Sequence, residues 1–222
     1  MQITTKKPYV TYVLVTINVI VFGIMTLSGG TTNIANLLRF GASFQPYILA
    51  GQWYRLVTPM FIHIGFEHLF LNMLTLYFCG IFLEQLFGWW RFTLIYFIAG
   101  IGGNLLSAAL APTTVSAGAS TAIFGMFGAF VMLGLVYRES EYFQALGRQF
   151  GILIILNLAF AFWPGTGIDI LGHIGGLIAG FLAALMVGTP VVFGPNKRPY
   201  QLMGLAGLII YTIATSWWLI NG

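Results

Sequence analysis

The sequence predicts an all-α polytopic membrane protein, a bundle of seven transmembrane helices without a soluble domain. Three observations lead there. Of the 222 positions, 59% are hydrophobic and 6% charged, against about 25% charged in a soluble domain, and the mean hydropathy is +0.91. The apolar residues gather into seven segments, each approaching the ~20 residues that carry a helix across a bilayer. The nine Lys and Arg stand singly or in pairs between these segments, as topology signals do. Lipid offers no partner to free backbone amides, so the segments are read as helices. The net charge of +4 does not point to nucleic acid, because no basic patch is interleaved with binding aromatics.

Each element can be justified in turn. The first segment, Val10 to Leu27, follows Lys6 and Lys7 and has the charge pattern of a signal peptide. It is too long for a cleaved apolar region, and Ser28-Gly29-Gly30 is a weak cleavage site, so it reads as a retained helix. About 38 residues, Ser28 to Gly65, separate it from the second segment. A structureless loop of that length is uncommon, and "NLLRFGASFQPYILAGQWYRLVTPMF" is apolar enough to lie against or dip into a leaflet. The next three segments run from Phe66 to Leu83, Phe92 to Ala111 and Ala119 to Val136. The fifth, Gly147 to Trp163, is the shortest. Ile168 to Val187 and Gln201 to Ile220 complete the set.

Orientation follows from the positive residues. With the N-terminus inside, Lys6, Lys7, Arg91, Arg138, Arg148, Lys197 and Arg198 are cytoplasmic, and only Arg39 and Arg55 are outside. That is a strong positive-inside bias. All six Trp (53, 89, 90, 163, 217 and 218) fall near segment ends, where amphipathic rings favour the interface. The single cysteine, Cys79, excludes an internal disulfide and reads as a packed thiol.

In this arrangement the second, fourth and sixth helices all enter from the outer side, and their first turns hold much of the chain's polarity. "HIGFEHLFLNMLTL" supplies His63, His68 and Asn72; "SAGASTAIFGMFGAF" supplies Gly118 and Ser120; "IDILGHIGGLIAGF" supplies Asp169 and His173. His173 lies five residues below Ile168, hence ~8 Å deep at 1.5 Å per residue. Polar groups at that depth face a bundle interior or a water-filled cavity.

Taken singly, each has a structural explanation. Ser120 is a good helix N-cap, and buried His or Asn side chains hydrogen-bond between helices. Taken together at one level, they indicate chemistry. His-Glu-x-x-His, the zinc protease pattern, is absent, and His63 and His68 are five apart rather than the four that puts ligands on one helix face. Asp169 is the chain's one aspartate, whereas an aspartyl protease needs two sharing a proton. A serine with a histidine base remains. Gly172, Gly176 and Gly180, with Gly175 beside them, and Gly125 and Gly128 on the fourth helix, permit the close helix approach that such a pair needs, although ordinary membrane packing uses the same residues. First-turn amides and the positive helix end would receive an oxyanion at Ser120. His68 and Asn72, four apart, share a face and can aim donors at the same point.

These residues resemble the rhomboid family of intramembrane serine proteases. "HIGFEHLFLN" matches the family's His-x4-His-x3-Asn pattern, "GAST" its Gly-x-Ser, and "GHIGGLIAG" its histidine helix. "WYR" at Trp53 to Arg55 and "GIFLEQLFG" at Gly80 to Gly88 are similar to its first-loop and second-helix motifs, so the resemblance covers about Gln52 to Gly188. It implies a rhomboid-like six-helix catalytic core over residues 1–188. Residues 189–222 would add a cytoplasmic loop and a seventh transmembrane helix. By position Ser120 is the nucleophile and His173 the general base, His68 and Asn72 assist the oxyanion, and Phe124 packs on the His173 ring. Gly118 and His63 support the site, and Asp169 has an orienting or structural role within a dyad. The sequence departs from the family's usual Gly after the serine and Ala before the histidine, with Thr121 and Gly172.

The expected activity is cleavage of membrane-protein substrates, single-span or polytopic, within a transmembrane segment near the outer face of a cell membrane. No metal, organic cofactor or nucleic acid is called for. The N-terminus would be cytoplasmic, and the C-terminus and site opening extracytoplasmic. An inactive rhomboid-like binding factor is one alternative. A transporter is the other, and it is disfavoured because "IGGLIAGFLAALMV" below His173 carries no ionisable group.

Overall fold

Seven long apolar helices cross back and forth in the computed structural model, which describes residues 7–163, 166–190 and 198–222. They are α1 (Tyr9–Leu27), α4 (Gly65–Phe87), α5 (Trp89–Leu110), α6 (Ser120–Val136), α7 (Glu141–Ala161), α8 (Ile170–Val187) and α9 (Arg198–Asn221). Six have the length and apolarity to cross a membrane, and α6 is a shorter apolar helix of 17 residues. The chain is a multi-pass membrane protein. Of the topology residues, Lys6 and Lys197 lie outside the described set.

The helices lie in two zones. Helix α6 is buried along nearly its whole length, and α5 and α8 over more than half of theirs. In contrast, α1, α7 and α9 expose most of their side chains, as lipid-facing helices do. All six Trp are exposed near helix ends or in the outer loop.

Without a hydrophobic drive between helices in lipid, contact depends on small residues. A Cβ on Gly125 would stand 3.0 Å from the Gly176 carbonyl oxygen, and one on Gly128 2.5 Å from that of Leu177. On the other flank of α8, a Cβ on Gly103 of α5 would meet the Gly172 carbonyl at 2.5 Å. Helix α8 is thus wedged between α5 and α6 on its glycine faces. Helix α9 backs this wedge, with the Tyr211 hydroxyl donating to the Gly102 carbonyl at 2.8 Å.

At the end of the bundle away from Ser120, Glu84 is 4% exposed. Its carboxylate accepts from the Val10 and Thr11 amides at 3.1 and 2.9 Å and from the Thr11 hydroxyl at 2.8 Å. These amides open α1, whose cap residue Pro8 offers no side-chain bond. Glu84 on α4 therefore does what a capping residue would do locally. Helix α7 is pinned to α6 in this half as well. The Gly134 and Gly147 backbones touch, and Phe150 stacks on Phe130 at 4.0 Å.

The loop after α1 is structured, as its apolarity suggested. It contains α2 (Ile34–Phe40), α3 (Gln45–Leu49) and two 3-10 turns at Trp53–Leu56 and Thr58–Phe61. Buried Arg55 organises it, donating to the Ala42 carbonyl at 2.8 Å and Gln52 Oε1 at 2.7 Å and lying over the Tyr47 ring. The helix limits differ from the sequence reading chiefly at α7, which starts at Glu141 rather than Gly147. Ser140 caps it there, its Oγ accepting from the Phe143 amide at 3.4 Å.

Candidate active site

The site forms where the segment before α6 meets the segment before α4. Gly118 has φ +141°, a region that only glycine adopts without strain. Its amide donates to the Pro59 carbonyl at 2.9 Å. The next amide, Ala119, donates to His63 Nε2 at 3.3 Å. Ala119 is the N-cap and Ser120 the first helical residue, with no side-chain cap bond. The capping explanation for Ser120 is therefore removed, and its hydroxyl is not committed to the backbone. The Ser120 amide, in the first turn, has no partner among the described residues. Farther back, Ser116 pairs with Ser43 in both directions, at 2.8 and 3.0 Å, which fastens the outer loop to the approach to the serine.

His63 holds this turn from beneath. It is fully buried, and accepting at Nε2 requires a neutral ring with its proton on Nδ1. Burial, reinforced by neighbouring His68, pushes its pKa down from 6.5 to about 3. His63 is thus a strut that stays neutral at physiological pH. Its ring meets His68 edge to face at 5.2 Å.

His68 comes from the first turn of α4. Its Nδ1 accepts from the Ile64 amide at 3.4 Å, so its proton belongs on Nε2. That nitrogen faces Gly118: a Cβ there would lie 2.8 Å from His68 Nε2 and 3.4 Å from Ser120 Oγ. One missing methyl thus lets the imidazole approach the serine turn. Asn72, one turn deeper, donates from Nδ2 to the His68 carbonyl at 2.8 Å. An amide nitrogen has two hydrogens, so one remains.

His173 sits in the first turn of α8 and stacks on Phe124 at 4.1 Å with 14° between the rings. Phe124 follows Ser120 by one turn of α6. No hydrogen bond joins Ser120 to His173 among the described residues, and catalytic contacts of this kind are often loose before substrate binds. Asp169 caps α8, its Oδ1 accepting from the Gly172 amide at 2.8 Å. Among the described residues no three of His, Cys, Asp and Glu form a metal-binding group.

The structure thus gathers Gly118, Ser120, Phe124, His63, His68 and His173 at one end of the bundle, with Asn72 below and Asp169 at the head of α8. Sequence reasoning missed Pro59, whose carbonyl is reached only through the loop fold and which carries no motif. For His63 the motif gave a supporting role, and its contact with the Ala119 amide is what the sequence could not specify.

A family model described as the rhomboid domain matches residues 50–190. Among curated relatives, the chain is 40% identical over 204 residues to "Rhomboid protease GluP" of Bacillus subtilis (strain 168), covering 92% of this chain and 40% of that protein. It is 32% identical over 177 residues to "Rhomboid-like protease 1" of Toxoplasma gondii, covering 78% and 60%. It is 34% identical over 173 residues to "Rhomboid-type serine protease 2" of Emericella nidulans, covering 75% and 32%. The chain spans less than two thirds of the length of each of these three.

Proposed function

This chain belongs to the rhomboid family, and on that premise we propose that it is an intramembrane serine endopeptidase working through a Ser120–His173 dyad. The observation that carries the reading is the His173 ring stacked at 4.1 Å on Phe124, one helical turn from a serine whose hydroxyl caps nothing. Ser120 Oγ attacks the scissile carbonyl while His173 Nε2 takes its proton. The oxyanion is received by the Ser120 amide and His68 Nε2–H, with the second Asn72 N–H as a further donor. Each such donor is worth ~3–4 kcal/mol in the transition state. The imidazolium then protonates the leaving amine, and water hydrolyses the acyl-enzyme by the same steps.

The substrates in this reading are transmembrane segments of other membrane proteins, single-span or polytopic. A helix hides its carbonyls in its own hydrogen bonds, so cleavage requires local unwinding, which Gly or Pro makes easier. Entry is from lipid past α7 and the outer loop. Two features support this: α7 is fastened to α6 in the half away from Ser120, while Phe160, Phe162 and Trp163 at its other end are exposed. By positive charge, the Ser120 end faces outward across a cell membrane, with the N-terminus cytoplasmic. Below His173, the buried residues of α8 are Gly, Ala, Leu and Val, which argues against a permeation path.

A fluorophosphonate probe tests the proposal in proteoliposomes. Wild type becomes labelled and cleaves a co-reconstituted single-span substrate; Ser120→Ala does neither, and His173→Ala loses cleavage. Equal labelling of wild type and Ser120→Ala, or cleavage by either variant, refutes the dyad. Absence of labelling in wild type favours the inactive binding factor.

A further inference from the structure

Thr121, the residue after Ser120, is buried, with 2% of its surface exposed. Its hydroxyl has no hydrogen-bond partner among the described residues. A buried hydroxyl without a partner adds no polar bond to the fold, so what Thr121 supplies is shape.

That shape is wedged between two other helices. A Cβ built on Gly103 of α5 would stand 2.7 Å from Thr121 Cβ and 3.0 Å from Thr121 Cγ2, and one on Gly172 of α8 would stand 3.1 Å from Cγ2. The backbone is pressed as closely, because a Cβ on Gly176, one turn further along α8, would fall on the Thr121 carbonyl. The γ-methyl of Thr121 thus fills the room that side chains on Gly103 and Gly172 would need. Interiors are packed like organic crystals, so a contact this close transmits small displacements. It also lies between the two reacting residues. Thr121 follows Ser120 on α6 and Gly172 precedes His173 on α8, so the neighbour of the nucleophile bears on the neighbour of the base.

We propose that the γ-methyl of Thr121 is a spacer that sets the separation of Ser120 from His173. Thr121 is then a positioning residue, acting through α8 rather than on the substrate. Without the methyl, α8 settles toward α6, and a misplacement of about 1 Å in a reacting pair costs about 100-fold in rate. A methyl added at Gly172 pushes the other way, against Thr121 Cγ2 at 3.1 Å and Asp169 Oδ2 at 2.6 Å.

The inference rests on the serine-protease reading, and its test keeps the two apart. Thr121→Val keeps the γ-methyl without the hydroxyl, and Thr121→Ser keeps the hydroxyl without the methyl. Thr121→Ala and Gly172→Ala are made singly and together. Each is reconstituted in proteoliposomes and read by the rate of fluorophosphonate labelling, by kcat and KM on a fluorogenic transmembrane peptide, and by thermal unfolding. Thr121→Val should stay within a few-fold of wild type. Thr121→Ser and Thr121→Ala should each be labelled about 10-fold more slowly or worse, and lose kcat in proportion with KM unchanged. A role confined to stability would lower the melting temperature and leave kcat of the folded protein alone. Thr121→Ala also frees the space that the Gly172→Ala methyl needs. The double variant should therefore lose less than the product of the two single losses, in kcat and in stability alike. If Thr121→Ala does not fold, Thr121→Ser takes its place in this cycle. Wild-type kcat in Thr121→Ser, a Thr121→Val as slow as Thr121→Ser, a change in KM alone, or losses that multiply in full overturn the spacer. A wild type that is never labelled refutes the protease reading instead, and the cycle on unfolding then decides the packing on its own.

Discussion

Replacing Gly118 with alanine perturbs the serine turn by one methyl group, and the structure sets what that methyl must do. It would lie 2.7 Å from His68 Cε1 and 2.8 Å from Nε2. Ordinary van der Waals contact begins at about 3.4 Å, so the ring or the turn must give by roughly 0.6 Å or more. The backbone also sits at φ +141°, which costs a residue with a Cβ about 1–3 kcal/mol. Both strains act on the same two groups, the His68 donor and the Ser120 amide. Misplacing one oxyanion donor lowers kcat by about 100- to 1,000-fold, so Gly118→Ala should fall in that range with little change in KM. A double-mutant cycle separates the two causes. His68→Ala removes the donor and the steric conflict together. If Gly118→Ala acts by displacing His68, the double variant should be only slightly worse than His68→Ala alone, well short of the product of the two losses. The assay is cleavage of a fluorogenic transmembrane peptide in proteoliposomes, beside thermal unfolding to confirm folding. Wild-type kcat in a folded Gly118→Ala protein, or losses that multiply in full, would refute the reasoning.

Phe124→Ala removes the surface on which His173 stacks and should reduce kcat by about 10- to 100-fold, whereas Phe124→Tyr, which keeps a ring, should stay within a few-fold; steady-state kinetics checks both. Glu84→Gln leaves two α1 amides facing a neutral amide side chain and should cost about 2–4 kcal/mol, seen as a lowered melting temperature in detergent with near-normal kcat in the folded fraction. His63 gives a pH dependence of stability: folded near pKa 3 and unfolded near 6.5, it contributes fully above pH 6.5. Between those values the unfolded chain binds more protons, so acidification from pH 6.5 to 4.5 should cost about 2–3 kcal/mol. His63→Gln should flatten that slope in melting curves measured across this range.

The spans were legible because lipid imposes one rule on every residue of a crossing helix, and hydropathy reads that rule directly. The exception is instructive. Helix α7 begins at Glu141, yet Gln144 and Arg148 break the apolar run there, so hydropathy found only the membrane-embedded part. The polar cluster was legible for a similar reason, since Ser120, His68, Asn72 and His173 stand out against apolar surroundings at a common depth. What escaped was everything set by loop conformation. His63 was visible as a residue, but its bond to the Ala119 amide depends on two segments far apart in sequence meeting. Capping also needed the structure: serine at a helix start suits a cap on propensity alone, but Ala119 occupies that position on α6, and the structural role open to Asp169 is that of the cap of α8.

The bond between Glu84 and the first residues of α1 bears on the order of biosynthesis. A ribosome completes α1 and the whole outer loop before it reaches Glu84, so the amides of Val10 and Thr11 await a partner some seventy residues downstream. The returning helix delivers that partner when α1 and α4 lie side by side as a hairpin. The opening pair of helices can therefore lock together before the serine helix has followed them into the membrane.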